Sequence, residues 1–124
     1  MAQSPNLVTI GPYRLGGDRP LFLLGPCVIE SEAFLQEIGP AIKEIATTVD
    51  VDFVFKASYD KANRSSITSF RGTGCLEGCR LLSEVGAELG VPVTTDVHTA
   101  EEVQIAAEFI DVLQIPAFLC RQTD

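Results

Sequence analysis

A chain of 124 residues carrying a net charge of −8 has room for one modest domain. The acidic balance argues against nucleic acid as a partner, because most of the surface would repel a polyanion. No run of about 18 apolar residues is present, so neither a membrane-spanning helix nor a membrane partner is expected. Met1–Asn6 lacks the charged start and apolar core of a secretory signal. Four cysteines (27, 75, 79 and 120) are scattered, which suits free thiols in a reducing, cytoplasmic compartment. Cys75 and Cys79 stand i,i+4 on an expected helix, but no nearby His or second pair completes a metal site.

In chain order, Leu7–Ile10 and Tyr13–Leu15 flank Gly11-Pro12 and read as a small hairpin ahead of the main fold. Leu21–Leu24 is continuously apolar, the pattern of a strand buried on both faces in a parallel sheet. Ser31 can cap a helix that reaches about Val49, with a kink or break expected at Gly39-Pro40. A second strand, Val51–Lys56, leads into a long polar loop. A second helix is expected from about Leu76 to Leu89, stopped by Gly90, and then a third strand, Val91–Asp96. Thr99-Ala-Glu-Glu102 is a capping box that opens a third helix through Phe109; the fourth strand is Asp111–Ile115. Alternation of this kind predicts an α/β fold with a parallel sheet. Two architectures fit: a small, open, doubly wound sheet, or half of a (β/α)8 barrel, which normally needs about 250 residues. The last residues, Gln114–Asp124, enter a polar loop with no helix after it, and the half-barrel is the favoured expectation.

The polar loop is Lys56-Ala-Ser-Tyr-Asp-Lys-Ala-Asn-Arg-Ser-Ser66. Three of the nine basic side chains of an acidic chain sit in these eleven residues. A small, multiply charged anion such as phosphate fits them: lysine supplies point charge, arginine a bidentate fork, and serine and asparagine neutral hydrogen bonds. The other strand ends add to the set. Cys27, Glu30 and Ser31 follow the first strand, Asp96 and His98 end the third, and Gln114 and Arg121 follow the fourth. In a parallel sheet all these ends converge on one face. Five of the nine basic residues (Lys56, Lys61, Arg64, Arg71, Arg121) and the single histidine then share it. Asp96 and His98 either orient water and move protons, or act as a helix-capping Asp beside a surface His. Cys27 is either a soft metal ligand or a small buried apolar side chain.

These residues resemble the 3-deoxy-D-manno-octulosonate 8-phosphate synthase family of lipopolysaccharide biosynthesis. The matching pieces are Gly25-Pro-Cys-Val-Ile-Glu-Ser31, Phe55–Ser66, Ser69-Phe-Arg-Gly72, Thr95-Asp-Val-His98 and Gln114–Asp124, in the family's order. The Lys56–Ser66 run is the most specific of them. The resemblance implies a TIM (β/α)8 barrel. Of it, this chain would hold an N-terminal hairpin over residues 1–20 and the first four β-strands with three helices over 21–124. It implies a transferase that condenses phosphoenolpyruvate with D-arabinose 5-phosphate and releases phosphate. By similarity, Lys56, Lys61, Gln114 and Arg121 hold phosphoenolpyruvate, and Asn63, Arg64 and Ser65 hold the sugar phosphate. Ser58 and Asp60 belong to the same substrate-binding wall, and Asp96 and His98 lie near the reacting carbons. Cys in the Gly-Pro-Cys motif marks the metal-dependent form, so Cys27 resembles a ligand to a divalent metal ion. The family's other ligands, a His, a Glu and an Asp, have no counterpart here. The intact family is homotetrameric, and this chain alone is expected to be an inactive N-terminal half. The alternatives are the sister heptulosonate synthase of the shikimate pathway and a non-catalytic half-barrel that binds phosphorylated ligands.

Overall fold

A computed structural model of the chain describes residues 7–61 and 72–120. Strands β1 (Val8–Ile10) and β2 (Tyr13–Leu15) pair antiparallel around the Gly11-Pro12 turn, as the two short apolar segments predict. The main sheet holds β3 (Leu21–Leu24), β4 (Asp52–Lys56), β5 (Val93–Asp96) and β6 (Val112–Gln114), all parallel and in sequential order. Helices α1 (Glu32–Thr48), α2 (Cys75–Leu89) and α3 (Ala100–Ala106) connect them, and a four-residue helix, α4 (Ala117–Cys120), follows β6.

The strand order decides between the two architectures left open by the pattern. A doubly wound sheet reverses its strand order and carries helices on both faces. Here the order never reverses, and α1 packs on α2 and α2 on α3, so the helices form one layer. This is an α/β arrangement consistent with part of a TIM barrel. The core lies between that layer and the sheet. Phe53, Phe55 and Val93 point into it from the strands, and Leu35, Leu81, Leu82 and Val85 from the helices.

Local signals explain the element ends. The Ser31 hydroxyl accepts from Phe34 N at 3.1 Å and caps α1. Gly90 adopts the left-handed conformation that closes α2, and Thr99 and Glu102 form the capping box of α3. Four expectations change: α3 ends at Ala106 rather than Phe109, the short helix α4 stands where only loop was expected after β6, and the other two concern α1 and β3. Helix α1 runs through Pro40 without the break that was one of the two expected outcomes there. Gly39, which has no Cβ to clash with the proline ring, is buried against Val85 and Leu89, and this packing holds the turn in place. Strand β3 is not buried on both faces: Phe22 and Leu23 are 42% and 54% exposed. It stands at the edge of the sheet, where a neighbouring strand covers one side only.

Candidate functional site

The sheet register places the candidate residues. Lys56 pairs with Thr94, and Asp96 with Gln114. Side chains alternate along a strand, so Lys56, Asp96 and Gln114 project from the face opposite Phe53, Phe55 and Val93, away from the helices. Backbone hydrogen bonds continue past the strand ends and hold the loops. Ile29 N donates to Ser58 O at 2.9 Å, Ala57 N to Thr94 O at 3.4 Å, and Val97 N to Gln114 O at 3.0 Å. Glycine is required at position 25, because a Cβ there would overlap the carbonyl of Lys56. The chain ahead of Cys27 thereby lies directly against the start of the polar loop.

Asp96 is the centre of the site. Its carboxylate accepts from the Ser58 hydroxyl on one oxygen and from His98 Nε2 at 3.0 Å on the other. Lys56 Nζ lies 4.0 Å from Asp96, and Lys61 Nζ donates to Ser58 Oγ at 3.4 Å. Ser58 and Asp96 are buried, whereas Lys56 and Lys61 are half-buried. Burial alone would raise the Asp96 carboxyl. The hydrogen bonds from Ser58, its own backbone and His98, with the Lys56 charge, outweigh that and hold it below the ordinary aspartate value. Asp96 is therefore a buried anion with partners, which is the condition for keeping a charge out of water. One ammonium, Lys56, stands beside the buried carboxylate, and the other, Lys61, reaches it only through the Ser58 hydroxyl. At 4.0 Å the Lys56 contact is loose, which leaves that ammonium accessible to an incoming anion.

The structure thus brings together Lys56, Ser58, Lys61, Asp96 and His98, with Gln114 exposed in the adjoining strand. The capping-Asp, surface-His reading fails: both side chains are largely buried and bonded to each other. Asp60 is half-buried at the same loop. Asn63, Arg64, Ser65, Arg71 and Arg121 lie outside the described residues. Cys27 is exposed, so it is not a buried apolar filler. Among the described residues no three His, Cys, Asp or Glu side chains form a metal-holding group, and Cys27 stands as a single thiol.

Two residues of the site were not read from the sequence as parts of it. Glu102 Oε2 accepts from Thr99 N at 3.1 Å, as a capping box requires, and also from His98 N at 3.1 Å and Tyr59 OH at 3.0 Å. Tyr59 is buried, and its ring meets the His98 ring edge-on at 5.6 Å between centroids. The i,i+4 spacing of His98 and Glu102 was the available signal; the Tyr59 contact spans 43 residues and needs the fold.

A sequentially ordered parallel sheet with one helix layer and polar residues at its strand ends defines an α/β protein of the barrel class. The chain belongs to the DAHP synthetase I family, whose model matches residues 6–124. It is 56% identical over 118 residues to a 2-dehydro-3-deoxyphosphooctonate aldolase of Geobacter sulfurreducens, covering 94% of this chain and 43% of that protein. Proteins of the same name from Citrifermentans bemidjiense and Paraburkholderia xenovorans are 54% and 53% identical; this chain covers 43% and 41% of their lengths. The chain therefore spans less than half the length of these curated relatives.

Proposed function

We propose that the chain is the N-terminal half of a single (β/α)8 barrel that makes 3-deoxy-D-manno-octulosonate 8-phosphate for lipopolysaccharide. The observation that carries this reading is the pairing of Lys56 and Lys61 with the buried Ser58–Asp96–His98 chain, in a sequence more than half identical to enzymes named for that product. In the proposed reaction, carbon 3 of phosphoenolpyruvate attacks the aldehyde carbon of D-arabinose 5-phosphate. Water adds at carbon 2, the carbon 2–oxygen bond to phosphate breaks, and inorganic phosphate leaves. Lys56 and Lys61 offset the charge of phosphoenolpyruvate, with Gln114 and Arg121 completing its site, so that two anionic substrates can approach. Asn63, Arg64 and Ser65 hold the sugar phosphate, and Ser58 and Asp60 belong to the same substrate-binding wall. Asp96 and His98 hold a proton beside the reacting carbons.

Cys27 would supply one thiolate to a divalent metal, but one donor is not a site. The proposed setting is a cytoplasmic homotetramer acting on small molecules, without nucleic acid or membrane partners. No helix of the described residues is long and apolar enough to cross a membrane.

Because the described strands supply one wall of the site, the 124-residue chain is expected to bind phosphoenolpyruvate without turnover. Calorimetry should show binding that weakens at least about tenfold in Lys56→Met, about 1.4 kcal/mol. Phosphate release by the isolated chain at an enzymatic rate would refute the half-barrel reading. In the chain extended to its relatives' length, faster turnover of erythrose 4-phosphate than of arabinose 5-phosphate would identify the sister synthase instead.

A further inference from the structure

We propose that Glu102 is a positioning residue that sets the His98 ring against Asp96, an inference that rests on the reading of the strand-end site given above. An N3 glutamate in a capping box ordinarily serves one backbone N–H, that of the N-cap residue. Here one carboxylate oxygen takes three donors: Thr99 N, His98 N and the Tyr59 hydroxyl. Burial, then the neighbouring Cys75 and Glu102, raise the Tyr59 phenol, so it remains a donor. Glu102 thereby joins α3, the loop after β5 and the loop after β4 through a single atom.

His98 sits inside this frame. Its backbone N–H is held by Glu102, its Nε2 meets Asp96 Oδ2 at 3.0 Å, and its flank meets the Tyr59 ring. Its Nδ1 is buried, makes no hydrogen bond among the described residues, and lies 3.8 Å from Glu102 Oε2. The shorter contact places the proton of the neutral ring on Nε2, facing Asp96. The Lys56 ammonium bears on the same Asp96 oxygen that Ser58 uses. The orientation of His98 is thus passed to the group that would meet substrate. Glu102 acts one residue removed, through the backbone of His98 and the ring of Tyr59.

His98 is the only histidine of the chain, so its ring signals are unambiguous. Proton–nitrogen correlation spectra of the 124-residue chain at alkaline pH should show one tautomer, protonated at Nε2, with widely separated ring-nitrogen shifts. In Glu102→Ala the separation should narrow towards that of a free imidazole, and the Tyr59–His98 ring contact should be lost. Glu102→Gln, which keeps an acceptor oxygen, should restore part of the pattern, and it carries the test if the alanine variant does not fold. Thr99→Ala removes the cap of α3 but none of the three donors to Glu102, and should leave the His98 signals unchanged. Wild-type signals in both Glu102 variants would overturn the proposal, as would an equal change in Thr99→Ala. Phosphoenolpyruvate titrated into the wild-type chain tests the function separately: if nothing shifts, the substrate reading fails while the Glu102 result stands.

Discussion

Both ends of the main sheet set basic side chains against carboxylates, yet the two clusters are built differently. At the N-terminal end, Arg19 reaches Asp50 at 2.8 Å and Asp52 at 2.7 Å and ties the residues after the hairpin to the start of β4. Its side chain is 48% exposed and that of Asp50 is 87% exposed. At the C-terminal end, the Asp96 and His98 side chains are 12% and 13% exposed, with Ser58 buried beneath them. Water competes for the first cluster and screens it, so its short distances mean little for stability. The second gives up hydration and meets its charges with internal partners, an arrangement that stability alone does not favour. That contrast is what supports the proposed site at the C-terminal end, although the N-terminal cluster has the shorter cation–carboxylate contacts.

Substitution at the centre of the buried cluster should have the largest effect. Asp96→Ala strands Ser58, His98 and Lys56 together, and should cost about 2–3 kcal/mol of unfolding free energy in urea titrations. A loss no larger than that of an exposed ion pair would erase the distinction between the two ends.

A pH series should give an intermediate effect. The folded state holds the Asp96 carboxyl below its usual value, so its stabilisation is fully present above about pH 4. It is lost as the pH falls through that value towards the lower, folded one, because protonation is then favoured in the unfolded chain first. The wild-type chain should therefore lose more stability on acidification than Asp96→Asn does. Equal slopes would mean that Asp96 carries no net benefit from its partners. Asp50 is also lowered, by its hydrogen bond to Arg19, and contributes the same sign to both chains, so the difference isolates Asp96.

Arg19→Ala should have the smallest effect. The wild-type and variant unfolding midpoints should converge as salt is raised, since only a screened surface interaction separates them. A difference that persists in high salt would show that Arg19 holds the hairpin by packing of its stem rather than by charge.

Much of this molecule was legible before folding. The hairpin, the alternating strands and helices, the Ser31 and Thr99 caps and the Gly90 stop all follow from short-range chemistry, and apart from the end of the third helix each appears within a residue or two of its expected place. The third helix is shorter than expected, ending at Ala106 rather than Phe109. The failures are instructive. Pro40 suggests a kink or a break in α1 because its missing donor and ring are local facts; α1 does not break, and the packing of Gly39 on Val85 and Leu89 is not a local fact. The apolar run Leu21–Leu24 predicted burial on both faces, but apolarity does not tell a strand whether it stands inside a sheet or at its edge.

By itself, the sequence determined the class of the fold, the polar loop after β4 and the family, because periodicity, caps and a specific run of residues are properties of neighbours along the chain. It also placed Lys56, Asp96 and His98 among the residues at the strand ends. Only the tertiary structure decided the sequential strand order and the single helix layer, which separate a barrel segment from a doubly wound sheet. It alone showed that Ser58, 38 residues from Asp96, donates to it, and that Tyr59 and His98 meet at Glu102. These are contacts between strand ends that parallel crossovers bring together. Their spacing along the chain is set by the intervening helices and loops and leaves no local signature.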